Sequence, residues 1–174
     1  SLAQAQVSPE GEVGRYLVAA GKAAFRGRDL TQQLLTFSGG GTPVKKTVAV
    51  SELIRDSVGL ALTGSNVRCD IVLAPDLWHV DVDEGQIIQV MNNLLINACQ
   101  AMPDGGVIQV SSRNVTLGIN ERPPLVEGRY VRVSVKDHGI GIPGEHLPKI
   151  FDPYFTTKQK GNGLGLATSY AIIK

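Results

Sequence analysis

Two asparagines four residues apart, Asn93 and Asn97, stand in a run rich in leucine and isoleucine. On a helix that spacing puts both side chains on one face. Asparagine is a poor helix former and is costly to bury without partners. A pair on one face beside leucines suits a polar ligand or a hydrated cation. Amide oxygens completed by phosphate oxygens would satisfy Mg2+, which takes oxygen ligands and keeps some of its waters. Taken alone, the pair is better explained by hydrogen bonds to a neighbouring loop.

Three further stretches carry possible chemistry. Val133 to Pro143 reads as an apolar strand that ends in Asp137 and turns through Gly139 and Gly141. A carboxylate at a strand end, with glycines that let a ligand approach the backbone, is what recognition of an adenine amino group requires. An ordinary Asp-Gly turn reads the same way. Ile150 to Lys158 places aromatics around a proline, with a lysine at the end. The aromatics can pack as a lid and Lys158 can reach a phosphate, or the stretch is a surface loop pinned by its rings. Gly161, Gly163 and Gly165 alternate just before an apolar helical pattern, and amides at a helix start bind anions. This glycine run lacks the Gly-Lys-Ser/Thr ending of a phosphate loop and does not follow a strand as a dinucleotide fingerprint does.

The elements that must position these groups are legible from periodicity. A helix is expected over Glu84 to Met102, capped by Asp83 and stopped by Pro103-Asp104-Gly105-Gly106. Strands are expected at Val44 to Val50, Val67 to Leu73, Trp78 to Val82, Val107 to Leu117 and Arg129 to Lys136, the last two paired. Ser51 is expected to cap a helix from Glu52 to Leu62, Glu145 to Ile150 to form a short helix, and Leu164 to Lys174 a final one. Upstream, Val13, Leu17, Ala20, Ala24, Gly27, Thr31 and Leu34 form a heptad-like seam on one long helix. A lone helix cannot bury such a stripe, so a partner from another segment or chain is expected. Ser38 to Pro43 breaks the pattern and marks a domain boundary, giving 1–42 and 43–174. The expected fold is α+β: a two-layer sandwich of a mixed sheet covered by helices on one face, preceded by one long helix.

Composition excludes several classes. The 174 residues carry a net charge of +1, with 43% hydrophobic and 19% charged residues. No strong field draws the chain to nucleic acid or an anionic membrane. Cys69 and Cys99 lack metal-ligand spacing and read as reduced, buried and intracellular. No apolar run approaches the roughly 20 residues of a membrane span, and no secretory signal is visible.

The order of the four stretches resembles the ATP-binding catalytic domain of sensor histidine kinases, in the superfamily shared with gyrase, Hsp90 and MutL. Asn92 to Ala98, Asp137 to Gly141, Phe151 to Phe155 and Gly161 to Leu166 look like that family's asparagine, first glycine, phenylalanine and second glycine boxes. The resemblance covers 44–174. Leu30 to Ser38 looks like the second helix of the family's dimerisation hairpin.

The resemblance implies that Asn93 and Asn97 bind Mg2+-ATP, with Asn97 the surer metal ligand. Asp137 would accept from the adenine amino group, and Gly139, Gly141 and Ile142 would line the base pocket. Phe151, Thr157 and Lys158 would belong to the ATP lid. Gly161, Gly163 and Gly165, with Leu164 and Leu166 at the start of the last helix, would present amides to the phosphates. Gln100 stands where many such kinases have lysine, so Lys158 takes the phosphate role. Asn93 stands where the superfamily's ATPases have a glutamate base, which favours phosphoryl transfer over hydrolysis.

The implied function is transfer of the γ-phosphoryl of ATP to a histidine, for relay to a response-regulator aspartate. His79, His138 and His146 do not fit that acceptor. It is expected before residue 1, and the family's closing strands after residue 174, so the chain reads as a fragment that should not phosphorylate itself. Expected partners are nucleotide, a second subunit through the 13–38 helix, and a receiver domain. A cytoplasmic setting without membrane contact by this fragment is expected, the parent being anchored or not through other segments. The alternatives are an ATPase of the same superfamily or a non-catalytic nucleotide-binding scaffold.

Overall fold

The computed structural model describes residues 11, 13–17, 20–21, 27, 31, 42–158 and 161–174. The chain divides into two compact units, Ser1–Gly41 and Thr42–Lys174. In the first, residues 13–17, 20–21, 27 and 31 are helical. Of the expected seam, Val13, Ala20, Gly27 and Thr31 are exposed within this chain and Leu17 is half-buried. Ala24 and Leu34 lie outside the described residues, as do Leu30 and the glycine run at 39–41.

The second unit begins with β1 (Lys46–Ala49), which runs directly into α1 (Val50–Ala61). With no residue between them, the cap position falls on Ala49, which has no side chain to offer. Ser51, expected to cap, therefore sits in the first turn. There follow β2 (Val67–Leu73), β3 (His79–Val82), α2 (Glu84–Ala101), β4 (Gly106–Leu117), β5 (Gly128–Lys136), a 3-10 turn (Gly144–Lys149) and α3 (Gly165–Ile173).

The strands form a three-stranded mixed sheet, β2-β4-β5, and a two-stranded ribbon, β1-β3. β4 runs parallel to β2 from Val67↔Gly106 to Leu73↔Ser112, and antiparallel to β5 from Gln109↔Lys136 to Leu117↔Gly128. Parallel neighbours need a crossover, and here it contains β3 and α2. Trp78, expected in β3, stands just outside it, because its N–H donates to Asn114 Oδ1 at 3.0 Å. Asn114 Nδ2 in turn donates to the Asp76 carbonyl at 2.8 Å. One side chain of β4 thus ties the approach to the ribbon onto the sheet.

Alternation decides which sheet face is covered. Ile108 and Val110 of β4 are fully buried, and Cys69, Ile71, Val131, Val133 and Val135 pack beside them. Val50, Ile54 and Val58 of α1 and Met91, Leu95 and Ala98 of α2 pack onto this face. The expected α+β layering is present, with α1 and α2 covering one sheet face.

Asp83 starts α2 as the sequence predicts. Its Oδ1 accepts from Gln86 N at 3.1 Å and its Oδ2 from Val44 N at 2.9 Å. One carboxylate therefore caps α2 and holds the lead into β1. Asp83→Ala should destabilise the domain by about 1–3 kcal/mol, summing a lost N-cap and a lost hydrogen bond. Urea unfolding followed by the fluorescence of Trp78, the one tryptophan, checks this.

Candidate functional site

Helix α2 is the element on which the singled-out groups converge. Asn93, Asn97 and Ala101 recur at intervals of four along it and so share a face. Each touches a different loop.

Asn93 meets the start of α3. Its Nδ2 donates to the Gly165 carbonyl at 2.9 Å and to Ser169 Oγ at 3.2 Å, while Ser169 Oγ donates to the same carbonyl at 2.9 Å. A Cβ on Gly165 would lie 3.5 Å from Asn93 Cγ, so the approach is close without demanding glycine. The amide nitrogen of Asn93 is committed to protein, and Oδ1 is its remaining polar atom. Ser169 is a partner the sequence did not announce: a serine in an apolar helix carries no spacing signal.

Asn97 meets Lys158. The ammonium donates to Asn97 Oδ1 at 2.8 Å and to Gln100 Oε1 at 2.6 Å. Burial lowers the Lys158 pKa from its ordinary value. The backbone around the lysine is folded tightly: its N–H donates to Thr156 Oγ1 at 3.1 Å and its carbonyl accepts from Gly161 N at 3.1 Å. The Gly161 amide is therefore spent within the loop, contrary to the expectation that it faces a phosphate. Thr157, beside it, is exposed.

Ala101 meets the turn after β5. Its carbonyl accepts from Ile140 N at 3.1 Å. A Cβ on Gly139 would collide with the Ala101 carbonyl oxygen and side chain, so glycine is required by proximity. Gly141 is required by conformation, with φ +72° and open space around it. Asp137 Oδ1 accepts from Gly139 N at 2.9 Å. The carboxylate is exposed. Its second oxygen has no described partner. His138 Nδ1 lies 3.3 Å from the Val107 carbonyl.

Aromatics shape the remaining wall. Phe151 packs on Tyr170 of α3 with ring centroids 5.1 Å apart and planes at 32°, and Phe155 meets His146 edge-on at 5.5 Å. Tyr154, at φ 66°, donates its N–H to the Gly163 carbonyl at 3.0 Å. Gly163 itself has φ +66°, and a Cβ there would strike the Tyr154 backbone. The glycine stretch and the aromatic stretch are thus interlocked. Leu164 anchors the start of α3 in the core at 1% exposure, and Leu166 is half-buried. Ile140, Ile142 and Tyr154 stay exposed at 87%, 51% and 66%, an apolar rim around Asp137 and the lid.

Elsewhere, a groove of about 1310 Å³ runs between the ribbon, the first half of α2, the far ends of β4 and β5, and the end of α3. It contains none of Asn93, Asn97, Asp137, Lys158 or the site glycines, and its walls of Val80, Met91, Leu94, Leu117 and Val133 are an opening in the core. Cys69 is a bystander to the site: burial above all, then the neighbouring Asp70, raises its thiol pKa. Among the described residues no helix is long and apolar enough to cross a membrane, and no three acidic, histidine or cysteine side chains could together hold a metal.

Comparison with known proteins shows the family. The model of the family described as histidine kinase-, DNA gyrase B-, and HSP90-like ATPase matches residues 82–174. Sensor kinase CckA of Brucella abortus is 40% identical over 158 residues, which cover 87% of this chain and 17% of that protein. Sporulation kinase E of Bacillus subtilis is 34% identical over 128 residues, covering 72% of this chain and 16% of its own length. The chain therefore spans under a fifth of each. Among solved structures, a nucleotide-free form of the catalytic domain of histidine kinase ThkA superposes with a TM-score of 0.59 at 34% identity, covering 74% of this chain and 79% of that one.

Proposed function

We propose, for a chain that belongs to the histidine kinase-, DNA gyrase B-, and HSP90-like ATPase family, that residues 42–174 bind ATP across the face of α2. In the whole protein, this nucleotide would donate its γ-phosphoryl to a histidine for relay to a receiver aspartate. The observation that carries the reading is the stripe Asn93, Asn97 and Ala101. It draws the second glycine stretch, the lid lysine and the Asp137 turn onto one helix face.

The roles follow from the chemistry of each group. Asp137 offers an unpartnered carboxylate oxygen to an exocyclic amino group, held in place by the Gly139 amide. Gly139, Gly141 and Ile142 form the turn beside the base, with Phe151 on the far wall. Lys158 and Thr157 face the phosphates from the lid. The α3 start at Gly163, Gly165 and Leu166, beside Leu164 whose N–H donates to Asn162 Oδ1 at 3.3 Å, contributes a helix N-terminus, where amides without intrahelical partners favour anions.

A divalent cation fits the donor set. Asn97 Oδ1 already accepts from one positive charge, and it is the kind of hard oxygen that Mg2+ accepts. Asn97 is the first ligand, and Asn93 can add only Oδ1. When bound, Mg2+ would offset the charge of the phosphates. No carboxylate among the described groups touches Asn93, Asn97 or Lys158. Without a general base there, water activation is disfavoured and transfer to a side chain is favoured over hydrolysis. Pairing with a second subunit through residues 13–38 and docking of a receiver domain complete the proposed assembly.

Calorimetric titration of the chain with ATP tests the reading. Binding should require Mg2+, and Asn97→Ala should weaken it about tenfold or more, the effect of losing ~1.5–3 kcal/mol from a charged contact. Equal affinity in the presence of a chelator would remove the metal from the site, and no heat with any nucleotide would remove the function.

A further inference from the structure

Lys158 is fastened in a way that neither the fold nor nucleotide binding requires. Its ammonium crosses from the lid to α2 and bonds two amide oxygens, 61 and 58 residues away in the chain. Among the described residues these two side-chain hydrogen bonds join 151–158 to α2. One of the two acceptors, Asn97 Oδ1, is the proposed metal ligand. A divalent ion on Asn97 would stand a few ångströms from the ammonium. Two like unit charges 4 Å apart repel by about 4 kcal/mol near a protein surface, and a doubly charged ion by more. Ammonium and metal therefore exclude each other at Asn97.

We propose that Gln100 is a positioning residue that docks Lys158 beside Asn97, so that the lysine acts as an internal cation occupying the metal position until Mg2+-nucleotide displaces it toward the phosphates. The proposal rests on the nucleotide-binding reading above. Gln100 suits the task because an amide oxygen accepts from the ammonium without a charge. A lysine here would repel Lys158, and a glutamate would hold it too firmly to be released. The tight turn at Thr156, Lys158 and Gly161 keeps the ammonium within reach of both positions.

Hydrogen exchange of the nucleotide-free chain, read at the amides of Tyr154, Lys158 and Gly161, tests the dock directly. Gln100→Leu should speed exchange about 5-fold, the scale of one exposed charged contact, and Gln100→Glu should slow it. In a Lys158→Met background neither substitution should matter, since the partner is gone. With Mg2+-ATP added, Gln100→Leu should bind a few-fold more tightly and Gln100→Glu more weakly, because the dock competes with the metal. Exchange that ignores Gln100, or that changes equally with Lys158→Met present, would overturn the dock. Weaker Mg2+-ATP binding by Gln100→Leu would overturn the competition. Absence of nucleotide binding by the wild-type chain would count against the functional reading instead, and leave the exchange result to be judged by itself.

Discussion

Asp137→Asn should reduce ATP affinity by about 10- to 150-fold, the loss expected for a hydrogen bond to a charged group, ~1.5–3 kcal/mol. The substitution is informative because it spares the local fold. Asparagine keeps an oxygen for the Gly139 amide, now bonded to Asp137 Oδ1 at 2.9 Å, so the turn after β5 should persist. What changes is the other atom. The carboxylate oxygen that accepts from the adenine amino group becomes an NH2, and two donors then face each other. An unfolding midpoint near that of the wild type, with ATP binding lost by calorimetry, is the expected pair of results. Unchanged affinity would free Asp137 from any role in base recognition. Guanine, with a carbonyl where adenine has the amino group, should gain on adenine in the variant.

Gly139→Ala should be among the most damaging small substitutions in the site, and its effect should be on stability. The added methyl would lie 2.7 Å from the Ala101 carbonyl carbon and closer still to its oxygen and side chain. Backbone cannot swing aside as a flexible side chain does, so the turn must lift off α2. That strains the bond from Ile140 N to the Ala101 carbonyl. Overpacking plus a lost hydrogen bond amounts to about 2–4 kcal/mol. Gly141→Ala supplies the contrast. Its φ is +72° and nothing lies within 4 Å of the new methyl, so only the left-handed conformation is penalised, by about 1–2 kcal/mol. Equal losses for the two in urea unfolding would show that the helix contact at Gly139 is unimportant.

The two glycines look alike in the sequence, as members of one Asp-x-Gly-x-Gly stretch. They are required for different reasons, which only the contact with α2 reveals. The asparagine pair behaves the same way. A spacing of four places Asn93 and Asn97 on one face whatever surrounds them. Yet one is tied to Gly165, 72 residues later, and the other to Lys158, 61 residues later. An apolar strand does not by itself say whether the carboxylate that ends it is buried or exposed. β5 ends where the sheet's cover ends, and Asp137 projects past it. Ser51 was misplaced as a cap for a related reason: the chain passes from strand to helix without a linker, and local preference could not see that junction.

What the residues determined by themselves is everything that depends on one turn or one strand of chain. That includes the alternation that buries Ile108 and Val110, the Asp83 cap, the positions of the glycine turns, and the order of polar stretches that marks the family. Period and φ preference act over a few residues, so they can be read in line. What the tertiary structure decided is the partner each polar group takes. It gave Lys158 to Gln100 and Asn97, Gly165 to Asn93, and Gly139 to Ala101. Those contacts exist because α1 and α2 pack on a single face of the sheet, which leaves one stripe of α2 to receive three loops. No spacing between distant residues encodes which loop arrives at which turn of that helix.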